Sequence, residues 1–374
     1  MTRNHSQTRR VFVGMYWWED RIFEGIARYA SEHNWLLDCR MRWTHALPDL
    51  SHWDGDGVIA NVGVTNPHQP LIKFIRRIHV PVIGMQPTGD YPCAARVIVS
   101  HEEVGKVAAE HFIKLGFANL AFVTFAENPI ERRRCDMFAA TARAAHLNFF
   151  EIPFKSFKER IKKLPAPLGL AAANDINAMH VMHACLDCGR RVPEEIAILG
   201  VDDTELLCKF TPVPMSSVNC NFERQGYEAA TLLDSLMRGA KPPKTPIMIP
   251  VKGVTVRHST DILPISNLKV ALAISFLRSR FNTPVQMSEV ATHVGTPLRQ
   301  LQKDFVLHTH TSMLRELTRF RVEHAKKLLC LPTKMKMESI AHECGFSNRI
   351  HFVRAFTRTE KKSPKSFRTT AMAK

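Results

Sequence analysis

The chain has 374 residues, 45% of them hydrophobic and 23% charged, which excludes a disordered chain and leaves room for two or more folded domains. Its net charge of +16 is unevenly placed: residues 266–374 hold 20 Lys and Arg against 7 Asp and Glu, a net of +13, leaving +3 for everything before them. The basic third is a candidate for binding a polyanion, and no run approaches the roughly 20 apolar residues of a membrane span.

The polar start MTRNHSQTRR lacks the apolar segment of a secretory signal, so a cytoplasmic protein is expected, with no membrane contact. Nine scattered cysteines, an odd number without disulfide-framework spacing, read as reduced thiols. Cys185-x-x-Cys188 has no second pair and no nearby His-x-x-x-His, so no metal is expected there, and none elsewhere. Nucleophile elbow, metal box and phosphate loop are all missing from the sequence; His101, His111, His180 and His183 lie near carboxylates, and His180 and His183, within a helix, read as packed or surface histidines. No catalytic residue and no cofactor are therefore expected.

From Val11 onward short apolar runs alternate with amphipathic stretches. VFVGMY, WLLDC, DGVIANV and VPVIGM read as strands, with helices through Ile22, Ile26 and Tyr29 and through Leu71, Phe74 and Ile75. A second round starts near Arg96: RVIVS, a helix from His101 to Leu115 stopped by Gly116, NLAFVTF, a helix over about 131–145, LNFFEIPF, GLAAAND, a helix to Gly189, and IAILGVDD. Such alternation predicts parallel sheets with covering helices, an α/β fold in two lobes, and ligands then bind where the carboxyl ends of the strands face each other. Past Leu232 the proline-rich KPPKTPIMIPVKGVTVRHSTD reads as an edge-like strand pair. A linker follows at 261–265, giving a ligand-sensing domain at 9–260 and an all-α domain at 266–370.

The final hundred residues state one helix-turn-helix twice. VQMSEVATHVGTPLRQLQKDF is answered by KMESIAHECGFSNRIHFVRAF, so that Val290, Ala291, Gly295, Leu301, Lys303 and Phe305 correspond to Ile340, Ala341, Gly345, Phe352, Arg354 and Phe356. In each copy the glycine makes the turn, and Thr296 and Ser347 are the expected N-caps, with Pro297 at the first helical position. Pro297, Arg299, Gln300, Gln302 and Lys303 in the first copy, and Asn348, Arg349, His351, Arg354 and Arg358 in the second, then face outward as the DNA-contacting set. Arg, Asn and Gln on such a helix pair with purine edges in the major groove of double-stranded DNA, while Lys and further Arg hold phosphates. Between the copies RELTRFRVEHAKKLLC forms a connecting helix over 312–330 with Leu317, Phe320, Val322, Ala325 and Leu328 inward. Its length of about 28 Å is close to one DNA turn, so one protomer can address two neighbouring groove segments.

The stretch AAANDINAMHVMHACLDCGRRVPEEIAILGVDDTEL resembles the LacI-type, periplasmic-binding-protein-like sensors, whose strand ending in Asn-Asp, Val-Pro-Glu-Glu and Gly-x-Asp-Asp it matches. The resemblance covers roughly residues 9–260. It implies polar ligand contacts from Asn174 and Asp202 at two strand ends, a ligand-facing Arg134, and Trp17 or Trp18 stacking on a sugar ring. Asn174 and Asp175 equally suit the cap of the following helix. Where that family has a contacting Asp after the fifth strand, this chain has Ser100-His101, and Ser100 takes that place.

The match of SIAHECGFSNRIHFVRAF and Ser363-Pro364-x-x-Phe367-Arg368 resembles the AraC-type DNA-binding domains. That family has a glycine five residues past each last Phe, where this chain has His310 and Lys361, and Ile350 replaces a polar residue in the second reading helix. A sensor in front of such a reader resembles the xylose-responsive operon regulators. This implies a homodimer, a sugar effector with a pentose favoured, and RNA polymerase as a partner. The alternative left open is a DNA-binding regulator whose sensor binds no sugar and serves dimerisation or a protein partner.

Overall fold

The computed structural model describes residues 8–372 except 45, 63–68, 88–90, 126–127, 263–264, 266 and 332–334. The first elements are β1 (Arg9–Met15), α1 (Asp20–Glu32), β2 (Trp35–Asp38), α2 (Met41–Thr44), β3 (Gly57–Asn61), α3 (Gln69–Arg77), β4 (Val82–Gly84) and β5 (Ala95–Val99). Next come α4 (His101–Leu115), β6 (Asn119–Thr124), α5 (Pro129–Ala144), β7 (Asn148–Pro153), α6 (Phe157–Arg160), β8 (Leu168–Ala172), α7 (Asp175–Asp187), β9 (Ile196–Val201), α8 (Glu205–Phe210) and β10 (Ser216–Asn219). The sensor half closes with α9 (Phe222–Met237), β11 (Ile247–Ile249) and β12 (Gly253–Thr255).

Two six-stranded sheets result, ordered β11-β5-β4-β3-β1-β2 and β12-β10-β9-β8-β6-β7. Every pairing is parallel except β10 with β12. Both faces of each sheet are covered, which is why central strands are unbroken apolar runs such as β8 and β9, every residue of which is buried. One face of the first sheet packs Phe12, Val58, Leu71 and Phe74. The outer core of the second packs Val123, Ile152, Phe157, Val181 and Ile198. The remaining faces, with α1, α4, α5 and α9, merge into one core that runs through both lobes.

Three sequence expectations change here. The strand RVIVS is β5 and belongs to the first sheet, so the second lobe opens with α4 and not at Arg96. The expected strand pair after Leu232 is not a pair: β11 adds to the first sheet beside β5, and β12 to the second beside β10. The sequence patterns also pass over α8, β10 and α9, and α9 returns to the first lobe to pack on α1. The chain therefore crosses between lobes three times, after β5, after β10 and between β11 and β12.

The remaining elements are all helical: α10 (Leu268–Ser279), α11 (Met287–Val294), α12 (Leu298–Thr309), α13 (Met313–Leu329), α14 (Met337–Glu343), α15 (Arg349–Glu360) and α16 (Pro364–Met372). They form two small cores joined by α13. Its first half gives Met313, Leu317 and Phe320 to the core of α10–α12, and its second half gives Val322, Ala325 and Leu329 to the core of α14 and α15. Leu329, rather than the expected Leu328, is the fully buried residue. α10 also reaches back to the sensor: Arg278 pairs with Asp261 at 3.1 Å, and Ile274 and Arg278 line a small cleft with Pro193, Pro214 and Ile262.

Candidate functional site

The residues just past the carboxyl ends of β1, β3, β4, β5, β8 and β9 enclose a cleft of about 550 Å³ between the lobes. That is where an open parallel sheet leaves backbone groups and loop side chains free to meet a ligand. Trp17, Trp18, Arg134, Asn174 and Asp202 all line it. Ser100 is not among the lining residues; its hydroxyl accepts the Glu103 backbone N–H at 3.2 Å as the N-cap of α4, and its neighbour His101 lines the cleft instead.

Arg134 and Asp202 form the polar centre of the second-lobe wall. Arg134 projects from α5, donates to the carbonyl of Ala173 and to His101 Nδ1 at 3.4 Å, and its Nη2 lies 3.7 Å from Asp202 Oδ1. Asp202 and Asp203 follow β9 with φ of 103° and 56°, left-handed values that are strained for any residue with a side chain. The kink carries the Asp202 carboxyl into the cleft, where Cys220 Sγ donates to it at 3.6 Å. Burial raises the Asp202 pKa and the nearby Glu19 adds to the rise, while Arg134 opposes it.

Asp175 lies behind Asp202. Ser217 Oγ and the Thr204 N–H donate to its two oxygens at 2.6 and 2.7 Å. A β-carbon at Gly200 would overlap Asp175 Oδ1, so only glycine in β9 allows this approach. Burial, then the charge of Asp202, raises the Asp175 pKa. Asn174 does what the capping expectation gave it, accepting the Asn177 N–H at 2.8 Å at the start of α7, and it lines the cleft as well.

The first-lobe wall is aromatic and amide-rich. Trp17 meets Phe222 edge-on at 5.5 Å and remains 43% exposed while lining the cleft. Trp18 is held by Phe23 at 5.2 Å and donates its Nε1–H to Asp20, which makes it the better packed of the two. Gln86 donates to Asn61 at 2.8 Å, and Gln225 is anchored by the carbonyls of Met85 and Val97. A direct bond ties the lobes at the cleft mouth: Arg21 Nη1 of α1 donates to the Asp203 carbonyl at 2.9 Å. The Asp203 carboxylate is itself held by Arg257, Asn219 and Thr255. Sequence reasoning missed His101, Asn61, Gln86 and Phe222. The first three sit at strand ends, where the topology rule places ligands; Phe222 belongs to the helix the patterns passed over.

In the helical domain the two turns close as expected, Gly295 and Gly345 having φ of 67° and 74°. At Gly345 a β-carbon would also come within 2.5 Å of the Phe281 carbonyl, because the loop after α10 packs against this turn. The N-caps fall one residue later than expected. Pro297 caps α12 without a side-chain bond, and Thr296 is buried with its hydroxyl unpartnered among the described residues. Asn348 caps α15 by accepting the His351 N–H at 2.9 Å, and Ser347 bonds the His351 ring at 2.8 Å. Pro297, Arg299, Gln300, Gln302 and Lys303 are exposed, as are Asn348, Arg349, His351, Arg354 and Arg358. Gln300 donates to Asp304 and Arg349 pairs with Glu338, whereas no bond from Arg299, Gln302, Lys303, Arg354 or Arg358 to a described residue is formed.

Two family models match: a periplasmic binding protein-like domain over residues 109–260 and a helix-turn-helix domain over 290–370. The xylose operon regulatory protein of Haemophilus influenzae is 25% identical, the alignment covering 98% of this chain and 99% of that protein. A solved structure of a xylose-binding transcription activator superposes with a TM-score of 0.73 at 22% identity, over 97% of this chain and 98% of the other. The lac repressor dimer bound to operator matches 68% of this chain and 94% of its own, with a TM-score of 0.53 at 18% identity. The chain thus joins a periplasmic-binding-protein-like domain to a helix-turn-helix DNA-binding domain, the architecture of a DNA-binding transcription regulator, and over nearly its whole length it is similar to xylose operon regulators.

Proposed function

We propose that the cleft binds a sugar, a pentose being the favoured class, and that this binding sets how α12 and α15 engage an operator, with the join between sensor and reader at 261–265. The observation that carries the reading is that Arg134 and Asp202, 3.7 Å apart, line the same cleft as the exposed indole of Trp17. A carboxylate and a guanidinium accept from and donate to vicinal hydroxyls, while an indole face covers the apolar side of a sugar ring. The relatives' names add xylose to this chemistry. The sugar acts by favouring one arrangement of the lobes over another, and it shifts DNA affinity only as far as its own affinity differs between them. Two copies acting as a homodimer in the cytoplasm, with RNA polymerase contacted at the promoter, complete the reading. No step of it requires catalysis.

Titration calorimetry with a panel of pentoses and hexoses tests the site. A pentose should give heat, and Asp202→Asn should abolish it while leaving DNA affinity without sugar within about twofold. No heat with any sugar, alongside intact operator binding, would instead make the sensor a dimerisation or partner-binding module.

A further inference from the structure

Within α15 the residues nearest the N-terminus are the ones that approach base edges when such a helix enters a major groove. Each of their polar side chains makes one hydrogen bond within the chain. Asn348 accepts the His351 N–H as the cap, His351 is bonded to Ser347, and Arg349 is drawn back by Glu338 at 3.2 Å. Ile350 stands among them, 61% exposed. A lone exposed isoleucine means little by itself. Its place in the repeat gives it meaning: the correspondence that pairs Leu301 with Phe352 and Phe305 with Phe356 sets Ile350 against Arg299, an exposed arginine of α12. Ile350 also shares a face with Arg354, one turn further on, which forms no bond with another described residue.

We infer that Ile350 reads a thymine, packing against its C5-methyl group in the major groove, while Arg354 beside it takes a neighbouring base edge. The inference rests on α15 entering DNA, as proposed above. Among the base-pair edges of that groove the thymine methyl is the apolar one, and an aliphatic side chain without donor or acceptor can distinguish no other base by attraction. The two readers of one chain therefore differ in kind: α12 leads with an arginine suited to guanine, α15 with an isoleucine suited to thymine.

The test uses the full-length protein. A duplex enriched from a random-sequence pool supplies the site, and each thymine in it is replaced singly by deoxyuridine, which deletes only the methyl. One replacement in the segment facing α15 should weaken wild-type binding about fourfold, the weight of one buried methyl. The same replacement should leave Ile350→Ala unaffected, and Ile350→Arg should enrich guanine in place of thymine at that position. No methyl-sensitive thymine in that segment, or equal sensitivity in wild type and Ile350→Ala, would overturn the inference while sparing the DNA reading. A pool that yields no enriched site would overturn both.

Discussion

Arg134 holds a buried carboxylate, and removing it leaves that charge without its partner. Arg134→Ala should cost about 3 kcal/mol in urea unfolding at neutral pH, as other broken buried pairs do. The loss should shrink in acid, because a carboxyl whose folded pKa is raised favours the fold when protonated and loses that contribution as the pH rises through the folded value. His101 behaves oppositely. Burial, then Arg134 and Arg133, lower its pKa to about 3, so its contribution is complete above about 6.5 and declines as the pH falls toward 3. Asp175 and Asp202 titrate in the reverse sense, so the informative quantity is a difference between proteins. From pH 7 to pH 5 wild type should lose on the order of 2 kcal/mol more than His101→Gln, as read by unfolding at both values. At this scale the family resemblance marked Arg134 and Asp202 singly, not as a pair, and did not mark His101. A histidine one place past a strand looks the same whether it faces solvent or a cleft, and only the cap formed by Ser100 turns it inward.

Helices α12 and α15 end alike, and neither ends on glycine. His310 and Lys361 take φ of 55° and 57° as left-handed C-caps, each donating its N–H to the carbonyl four residues back. The missing glycines thus leave the caps in place and make them strained. His310→Gly and Lys361→Gly should each stabilise the domain by up to about 1 kcal/mol in thermal unfolding, with DNA affinity unchanged. Elements of strong period were legible: α4 runs over His101–Leu115 and stops at Gly116, as its pattern predicts. The N-caps shifted by one residue because Pro297 and Asn348 both adopt extended ψ before the first helical turn, a choice that Thr296 or Ser347 could have made equally well. β11 and β12 misled for another reason. Adjacent short strands usually pair with each other, and only the two-lobed topology sends them to different sheets.

Across the whole molecule, the ion pair of Arg278 with Asp261 joins α10 to the last turn of the sensor. Arg257, four residues earlier, clasps Asp203, whose carbonyl takes Arg21 from the opposite lobe. Arg278→Ala should leave sugar heats unchanged yet reduce the effect of sugar on operator affinity, measured by fluorescence anisotropy with and without the sugar. An undiminished effect would mean that the signal takes another route.

The Arg278–Asp261 contact has a consequence in the opposite direction. A joint that transmits strain from cleft to reader transmits it back by the same free energy, because the order in which two ligands bind cannot alter their total. A promoter occupied by this regulator is then itself an effector. The concentration at which the protein senses the sugar should shift, on DNA relative to free in solution, by the same factor through which sugar shifts its operator affinity. Titrating sugar against protein alone and against protein saturated with duplex measures both sides of that equality.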